Sequence, residues 1–146
     1  IGDDPSPSQQ SLVDLLYLRN NVKIHGPMLH NEVIKFIEAA DLCIGPLMPT
    51  LAIPRKVLEY MACGKPVITG VKSVSRDLAI NDFNCLVVTP EPQSVSEAIL
   101  RVLQDEEYAR RLGLNAKRVV LEFGLDKVAD ELERTLLKAV NNHKEH

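Results

Sequence analysis

The sequence predicts an α/β fold in which a parallel sheet is covered on both faces by helices, and three observations predict it. Short apolar runs, Leu42-Cys43-Ile44 and Val67-Ile68-Thr69 among them, are continuous rather than alternating, as strands buried on both faces require. Each is followed by a stretch of helical periodicity, so strand and helix keep taking turns along the chain. Gly-Pro and Gly-Lys-Pro joints separate them at positions where a helix must stop or a strand begin. With 146 residues, 45% of them apolar, the chain is long enough to bury one core, and a single domain over 1–146 is the expectation.

Ile1-Gly2-Asp3-Asp4-Pro5 reads as the end of a strand entering a polar loop, which predicts that a first strand-helix unit lies upstream. Leu12, Val13, Leu15, Leu16 and Leu18 form an apolar stripe suited to a helix ending near Asn20-Asn21. Val22 to Gly26 alternates like a short strand. Asn31 is placed to cap a helix carrying Val33, Ile34, Phe36 and Ile37 along one side and ending at Ala39-Ala40. Leu42 to Pro46 reads as a buried strand, followed by a loop from Leu47 to Ile53. Pro54 suits the first turn of the next helix, where a missing N–H costs nothing, and Gly64 stops that helix after Cys63. Pro66 to Gly70 is a further buried strand. A short helix around Ser75 to Ile80, a strand at Cys85 to Val88 and helices over Ser94–Gln104, Glu106–Glu122 and Asp126–Val140 complete the pattern, with Asn141 to His146 as a frayed tail.

A formal net charge of −3 supplies no positive field for a polyanion, so nucleic acid is not an expected partner. No apolar run approaches the roughly 20 residues that span a bilayer. Cys43, Cys63 and Cys85 are odd in number, widely spaced and set among apolar residues, without metal-ligand spacing. They read as buried thiols of a reducing cytoplasm, and no metal site is predicted.

The densest signal is Ile53 to Ile68: a loop, a helix and a strand with unusual residues at the joints. A helix start that follows a strand presents free N–H groups and a positive dipole end, which suits a diphosphate, and Arg55 and Lys56 add charge there. Glu59 lies one turn beyond Lys56, within reach of the same pocket as an acceptor for sugar or ribose hydroxyls. The plainer reading is that Lys56 and Glu59 form an ordinary surface pair three residues apart.

The run Pro54-Arg55-Lys56-Val57-Leu58-Glu59-Tyr60-Met61-Ala62-Cys63-Gly64-Lys65-Pro66-Val67-Ile68 closely resembles the donor-site signature of the group 1 (family 4) retaining glycosyltransferases. Val22 to Gly26, Ala39 to Leu42, Asn84 to Val88 and Asp105 through Arg118 resemble that family's later elements in the right order. The resemblance implies that 1–146 is the nucleotide-sugar donor-binding domain of a two-domain GT-B enzyme: the Rossmann-like carboxyl-terminal domain, partial at its amino end and inactive alone. It implies transfer of a sugar from a nucleoside diphosphate sugar to a hydroxyl acceptor with retention, without cofactor or metal. The acceptor would be held by an amino-terminal domain, and any peripheral membrane association would run through that domain too.

Residue by residue, the resemblance implies that Glu59 holds the ribose hydroxyls, that the amides of Arg55 and Lys56 face the diphosphate, and that Gly26, Pro27 and Met28 lie against the base. Leu51, Ala52 and Ile53 would complete the donor-binding loop. The family often carries two acids, the first of which touches the transferred sugar; here Leu51 stands in its place, and no Asp or Glu occurs between Cys43 and Leu58. That departure keeps two alternatives open, a non-catalytic nucleotide-sugar-binding module and another enzyme of the same fold, such as an epimerase or a phosphorylase. His25 is read as a packing residue, and no catalytic residue is assigned.

Overall fold

A computed structural model describes residues 7–47, 54–70 and 78–143. The chain divides into two compact units, Ile1–Ala39 and Ala40–His146.

In the first unit, α1 spans Pro7–Leu15 and α2 spans His30–Ala39. The leucine stripe predicted α1, but the helix starts earlier and stops five residues before Asn20. Its end is a Schellman turn: Tyr17 sits at φ 55°, its N–H donates to Asp14 O, and the Leu18 N–H donates to Val13 O at 2.9 Å. Two residues after the helix the chain is therefore already turned, and Leu16 and Leu18 cannot continue the stripe. α2 begins one residue before the expected cap. The Leu29 N–H, not Asn31, marks the boundary, reaching the Glu32 carboxylate at 3.3 Å in the backward half of a capping box. The strand expected at Val22 to Gly26 is irregular backbone. A strand exists only through a ladder, and no described neighbour supplies one. His25 packs its ring on Phe36 of α2, centroids 5.1 Å apart, in keeping with a packing role.

The second unit is the α/β layer the sequence predicts. Strands β1 (Cys43–Ile44), β2 (Val67–Gly70) and β3 (Leu86–Val88) form one parallel sheet in the order β1-β2-β3. Cys43 pairs with Val67 and Ile68 with Leu86 in register. Helices α3 (Arg55–Ala62), α4 (Pro92–Gln104), α5 (Glu106–Glu122) and α6 (Leu125–His143) complete the unit. Alternate strand residues feed two cores, as the pleat dictates. On one face Ile68, Leu86 and Val88 pack with Ala98 and Val102 of α4 and Tyr108 and Leu112 of α5. On the other, Val67 and Cys85 pack with Val57 and Met61 of α3 and Ala116 of α5. α5 thus serves both layers, which is why it is long.

Several boundaries differ from expectation for local reasons. α4 starts at Pro92 rather than Ser94, because a proline is at ease in the first helical turn. Pro54 is the N-cap of α3, one position outside the first turn. Of the helix expected around Ser75 to Ile80, residues 75–77 lie outside the described residues, as do Ile1 to Pro5. Residues 78–80 are not helical. Asn84, wholly buried, takes their backbone groups instead: its Nδ2 donates to Leu78 O at 2.9 Å and its Oδ1 accepts from the Ile80 N–H at 2.8 Å. α6 runs to His143, beyond the expected end at Val140. Leu132, Leu136 and Leu137 on it are exposed, as expected for a helix whose apolar residues are unspent on this unit's core. Among the described residues no helix is long and apolar enough to cross a membrane.

Where α5 crosses the end of α3, two glycines meet. Gly64, at φ +71°, ends α3, and a Cβ on Gly113 would fall on the Gly64 carbonyl oxygen. Alanine at 113 would gain about 1 kcal/mol of helix propensity. The overlap is with backbone that cannot swing away, and such overpacking costs about 1–3 kcal/mol, so the loss dominates. Gly113→Ala is expected to lower the urea midpoint at an unchanged m-value.

At the other end of α5, Tyr108 donates its hydroxyl to Asp82, whose carboxylate also meets Arg101 at 2.9 Å, and the Arg101 guanidinium lies 4.3 Å from the Tyr108 ring centroid. The Tyr108 hydrogen bond, with the nearby arginines, holds Asp82 below its ordinary 3.8. A depressed carboxylate stabilises the fold above its unfolded value, and that contribution disappears as pH falls through the folded value. Tyr108 is pushed up to about 12, by burial first and then by Asp82. The neutral phenol therefore contributes its full stability below its ordinary 10.0 and loses it as pH rises from there through about 12. Phenolate absorbance should show one tyrosine titrating near 12 in the native chain, and Asp82→Asn should bring that titration down. An unchanged late titration in the variant would disprove the hydrogen bond's part in it.

Candidate functional site

The carboxyl ends of β1 and β2 are built for close approach. Beyond β1, the Gly45 N–H donates to Ile68 O at 2.8 Å, and beyond that the Gly70 N–H donates to Pro46 O at 2.9 Å. The Thr69 hydroxyl donates to the same Pro46 carbonyl at 3.2 Å. The pairing therefore extends past β1 as far as the last residue of β2, and side chains at the two glycines would obstruct it. A Cβ on Gly45 would stand 2.6 Å from Cγ2 of Val57, and one on Gly70 would overlap the Leu47 backbone. The missing side chain of Gly45 lets the first turn of α3 settle against the end of β1, and that of Gly70 lets the chain after β1 run alongside β2.

That first turn has no side-chain cap. Pro54 stands at the N-cap with extended backbone (φ −61°, ψ 138°) and contributes no cap hydrogen bond, while its carbonyl accepts from the Val57 N–H at 2.8 Å. No acid lies in the turn to complement the dipole; Arg55 and Lys56 are there instead, both exposed. Such a start is unfavourable as helix chemistry and favourable for an anion. The turn is held from beneath, since Val57 and Met61 are buried in the core while Glu59 and Tyr60 remain half-buried beside them.

The charged pair on α3 is not the one the spacing suggested. Lys56 does not pair with Glu59; Arg55 does, its Nε donating to Oε1 of Glu59 at 3.0 Å across four residues. The arginine side chain is 85% exposed and the glutamate 23%, so a largely solvated cation screens a carboxylate rooted in the protein. Three residues apart is the weaker alternative once a guanidinium one position earlier can reach back along the helix face. Burial raises the Tyr60 phenol above its ordinary value, with Cys43 and Glu59 adding to the shift.

The other predicted residues lie elsewhere. Gly26, Pro27 and Met28 belong to the first compact unit, on the irregular backbone before α2, with Gly26 and Met28 half-buried and Pro27 exposed. Leu51, Ala52 and Ile53 lie outside the described residues. Among the described residues no group of three or more His, Cys, Asp or Glu side chains is arranged to hold a metal ion.

One feature of this unit had no counterpart in the sequence reading. At the opposite, amino-terminal edge of the sheet an open groove of about 520 Å³ is lined by Asp41, Lys65, Arg110 and Glu106 around an apolar floor that includes Val102 and Leu114. Its parts come from the chain before β1, the turn between α3 and β2, the end of α4 and one face of α5, which no single local pattern joins.

None of the three cysteines forms a disulfide. Burial pushes the thiols of Cys43 and Cys85 up to about 11, which keeps them protonated and unreactive at neutral pH, while Cys63 is half-exposed at the end of α3. With Ellman's reagent at pH 8, one thiol is expected to react in the native chain and the other two only on unfolding; Cys63→Ser should remove the native reaction.

Comparison with known proteins bears on the whole of this layer. The family model described as "Glycosyl transferases group 1" matches residues 2–119. An uncharacterized glycosyltransferase of Methanocaldococcus jannaschii is 21% identical over 127 residues, 86% of this chain and 32% of its own. The Campylobacter jejuni N,N'-diacetylbacillosaminyl-diphospho-undecaprenol alpha-1,3-N-acetylgalactosaminyltransferase is 24% identical over 142 residues, 97% of this chain and 36% of its own. Among solved structures, a sucrose-phosphate synthase from Thermosynechococcus elongatus superposes with a TM-score of 0.75 at 28% identity, over 94% of this chain and 37% of that one. Anabaena HepE, in complex with UDP and glucose, gives 0.81 at 23% identity, over 94% and 39%. The chain thus spans about a third of the length of these four proteins. The parallel-sheet architecture is that of a Rossmann-like, GT-B carboxyl-terminal domain.

Proposed function

Because this chain belongs to the group 1 glycosyl transferases, we propose that it forms the donor-binding part of an enzyme that moves a sugar from a nucleoside diphosphate sugar to a hydroxyl acceptor, with retention at the anomeric carbon as in family 4. The observation that carries the reading is the start of α3: an uncapped helix N-terminus with two cations in its first turn, seated at the carboxyl edge of a parallel sheet. In open α/β sheets ligands bind at that edge. Glu59 receives the ribose hydroxyls, and the N–H groups of Arg55 and Lys56 face the diphosphate. The family resemblance extends the donor site to Gly26, Pro27 and Met28 for the base and to Leu51, Ala52 and Ile53 as further donor-binding residues.

The chemistry asked of these residues is positioning and charge stabilisation. As the glycosidic bond to the diphosphate breaks, negative charge grows on the leaving oxygens, and a fixed dipole end with adjacent cations stabilises it without reorganising. An acceptor-binding domain elsewhere in the polypeptide completes the reaction, in a cytoplasmic enzyme. The run without Asp or Glu from Cys43 to Leu58 specifically favours a second reading, a module that binds the nucleotide sugar without turning it over. Anomeric analysis of the product formed by the full polypeptide separates the two, since the module would form none.

UDP is the first nucleotide to test, because HepE was solved with UDP and with UDP-glucose. Calorimetric titration of the chain with UDP, GDP and ADP should show binding of one of them. Glu59→Ala should weaken that binding by roughly 10- to 100-fold, the worth of a hydrogen bond to a charged group. A folded chain that binds none of the three would refute the assignment of the donor site to this stretch.

A further inference from the structure

We propose that Arg55 is a positioning residue for Glu59 and the joint through which the ribose and the diphosphate of the donor are sensed together. This role rests on the donor-site reading above. The pair is made by the arginine Nε and one carboxylate oxygen, Oε1, at 3.0 Å. A guanidinium has five N–H donors and a carboxylate two oxygens, so this contact commits only one donor and one oxygen. Both Nη groups and Oε2 remain for a ligand. Arg55 extends into solvent from the first turn of α3, where the helix dipole favours phosphate, while Glu59 is rooted one turn deeper.

With a diphosphate at the start of α3, one cation would stand between two anions, the Glu59 carboxylate that reads the ribose and the diphosphate attached to it. A half-buried carboxylate without a partner would rotate toward solvent or be costly to keep. With Nε on Oε1, its direction is set and Oε2 stays available to accept from a ribose hydroxyl. When phosphate oxygens accept from the Nη groups, the guanidinium is fixed further, and the carboxylate with it. Lys56, whose single ammonium group is a point charge, cannot span both anions in this way. The consequence is cooperativity: the ribose hydroxyls count for more when the diphosphate is present.

The test compares the full chain with Arg55→Ala, Glu59→Gln and the double variant. Each is titrated with UDP and with 2′,3′-dideoxyuridine diphosphate, or with the GDP or ADP pair if one of those is the nucleotide that binds. The wild type should prefer the ribose form, and Glu59→Gln should abolish the preference. Arg55→Ala should still bind but lose about two- to five-fold of the preference, the scale of an exposed ion pair. A merely structural role for Arg55 would weaken both nucleotides alike and leave the preference intact in Arg55→Ala, and in the Glu59→Gln background Arg55→Ala should find no preference left to remove. A preference intact in Arg55→Ala and lost in Glu59→Gln overturns the role of Arg55 and leaves the donor site standing. A preference absent in the wild type, or indifferent to Glu59→Gln, overturns the donor-site reading and this inference with it.

Discussion

The pairing of β1 with β2 does not stop where β1 does, and much of the second unit follows from that. Hydrogen bonds from Gly45 to Ile68 and from Gly70 to Pro46 carry the pairing past the carboxyl end of β1 and up to the last residue of β2. The backbone can run so close only because Gly45 and Gly70 lack side chains, the first making room for Val57 and the second for Leu47. The position of Val57 sets where α3 begins, and the start of α3 decides where Arg55, Lys56 and Glu59 stand. The arrangement of charged side chains on α3 is thus registered to the sheet through backbone hydrogen bonds and one buried valine, not through contacts among the charges themselves.

α3 carries a local conflict that the rest of the unit resolves. An eight-residue helix is too short to be stable alone, and this one lacks a side-chain cap and has cations where the dipole disfavours them. Each defect costs a fraction of a kcal/mol to about 1 kcal/mol. Complete burial of two side chains the size of Val57 and Met61 is worth about 1.5–3 kcal/mol each, which outweighs them. Local rules fail at the outer end of the helix while its inner face satisfies them, and such a division is expected at functional sites. The contact of Gly64 with α5 through Gly113 fixes the other end, so the helix is clamped at both termini by tertiary packing.

How much of this was legible in the sequence depends on the range of the interaction. The parallel sheet could be read because strands buried on both faces must be continuously apolar, and Val67, Ile68, Cys85 and Leu86 are. The end of α3 was legible because Gly64 and Pro66 act within one or two residues. The strand expected at Val22 was not forbidden by anything local; its pattern suits a strand, but pairing is supplied by another stretch of chain. The segment 78–80 was misread for the opposite reason. Its apolar pattern permits a helix, and the amide of Asn84, four residues beyond Ile80, claims the backbone groups a helix would need.

The α3 charges show the same limit on a finer scale. Spacing alone offered Lys56 and Glu59 as partners, and both three- and four-residue separations bring side chains together on a helix. Arg55 prevails because its longer, planar head reaches Glu59 along the helix face and donates from Nε, leaving the rest of the guanidinium outward. That choice cannot be read from residue types, since Lys56 carries the same charge at a permitted spacing. It matters beyond stability, because an exposed pair of this kind contributes little to the fold. Its importance lies in direction: the glutamate is held where it can still accept a hydrogen bond, and the cation that holds it stands at the positive end of the helix. Both consequences follow from one residue occupying the first helical position rather than the second.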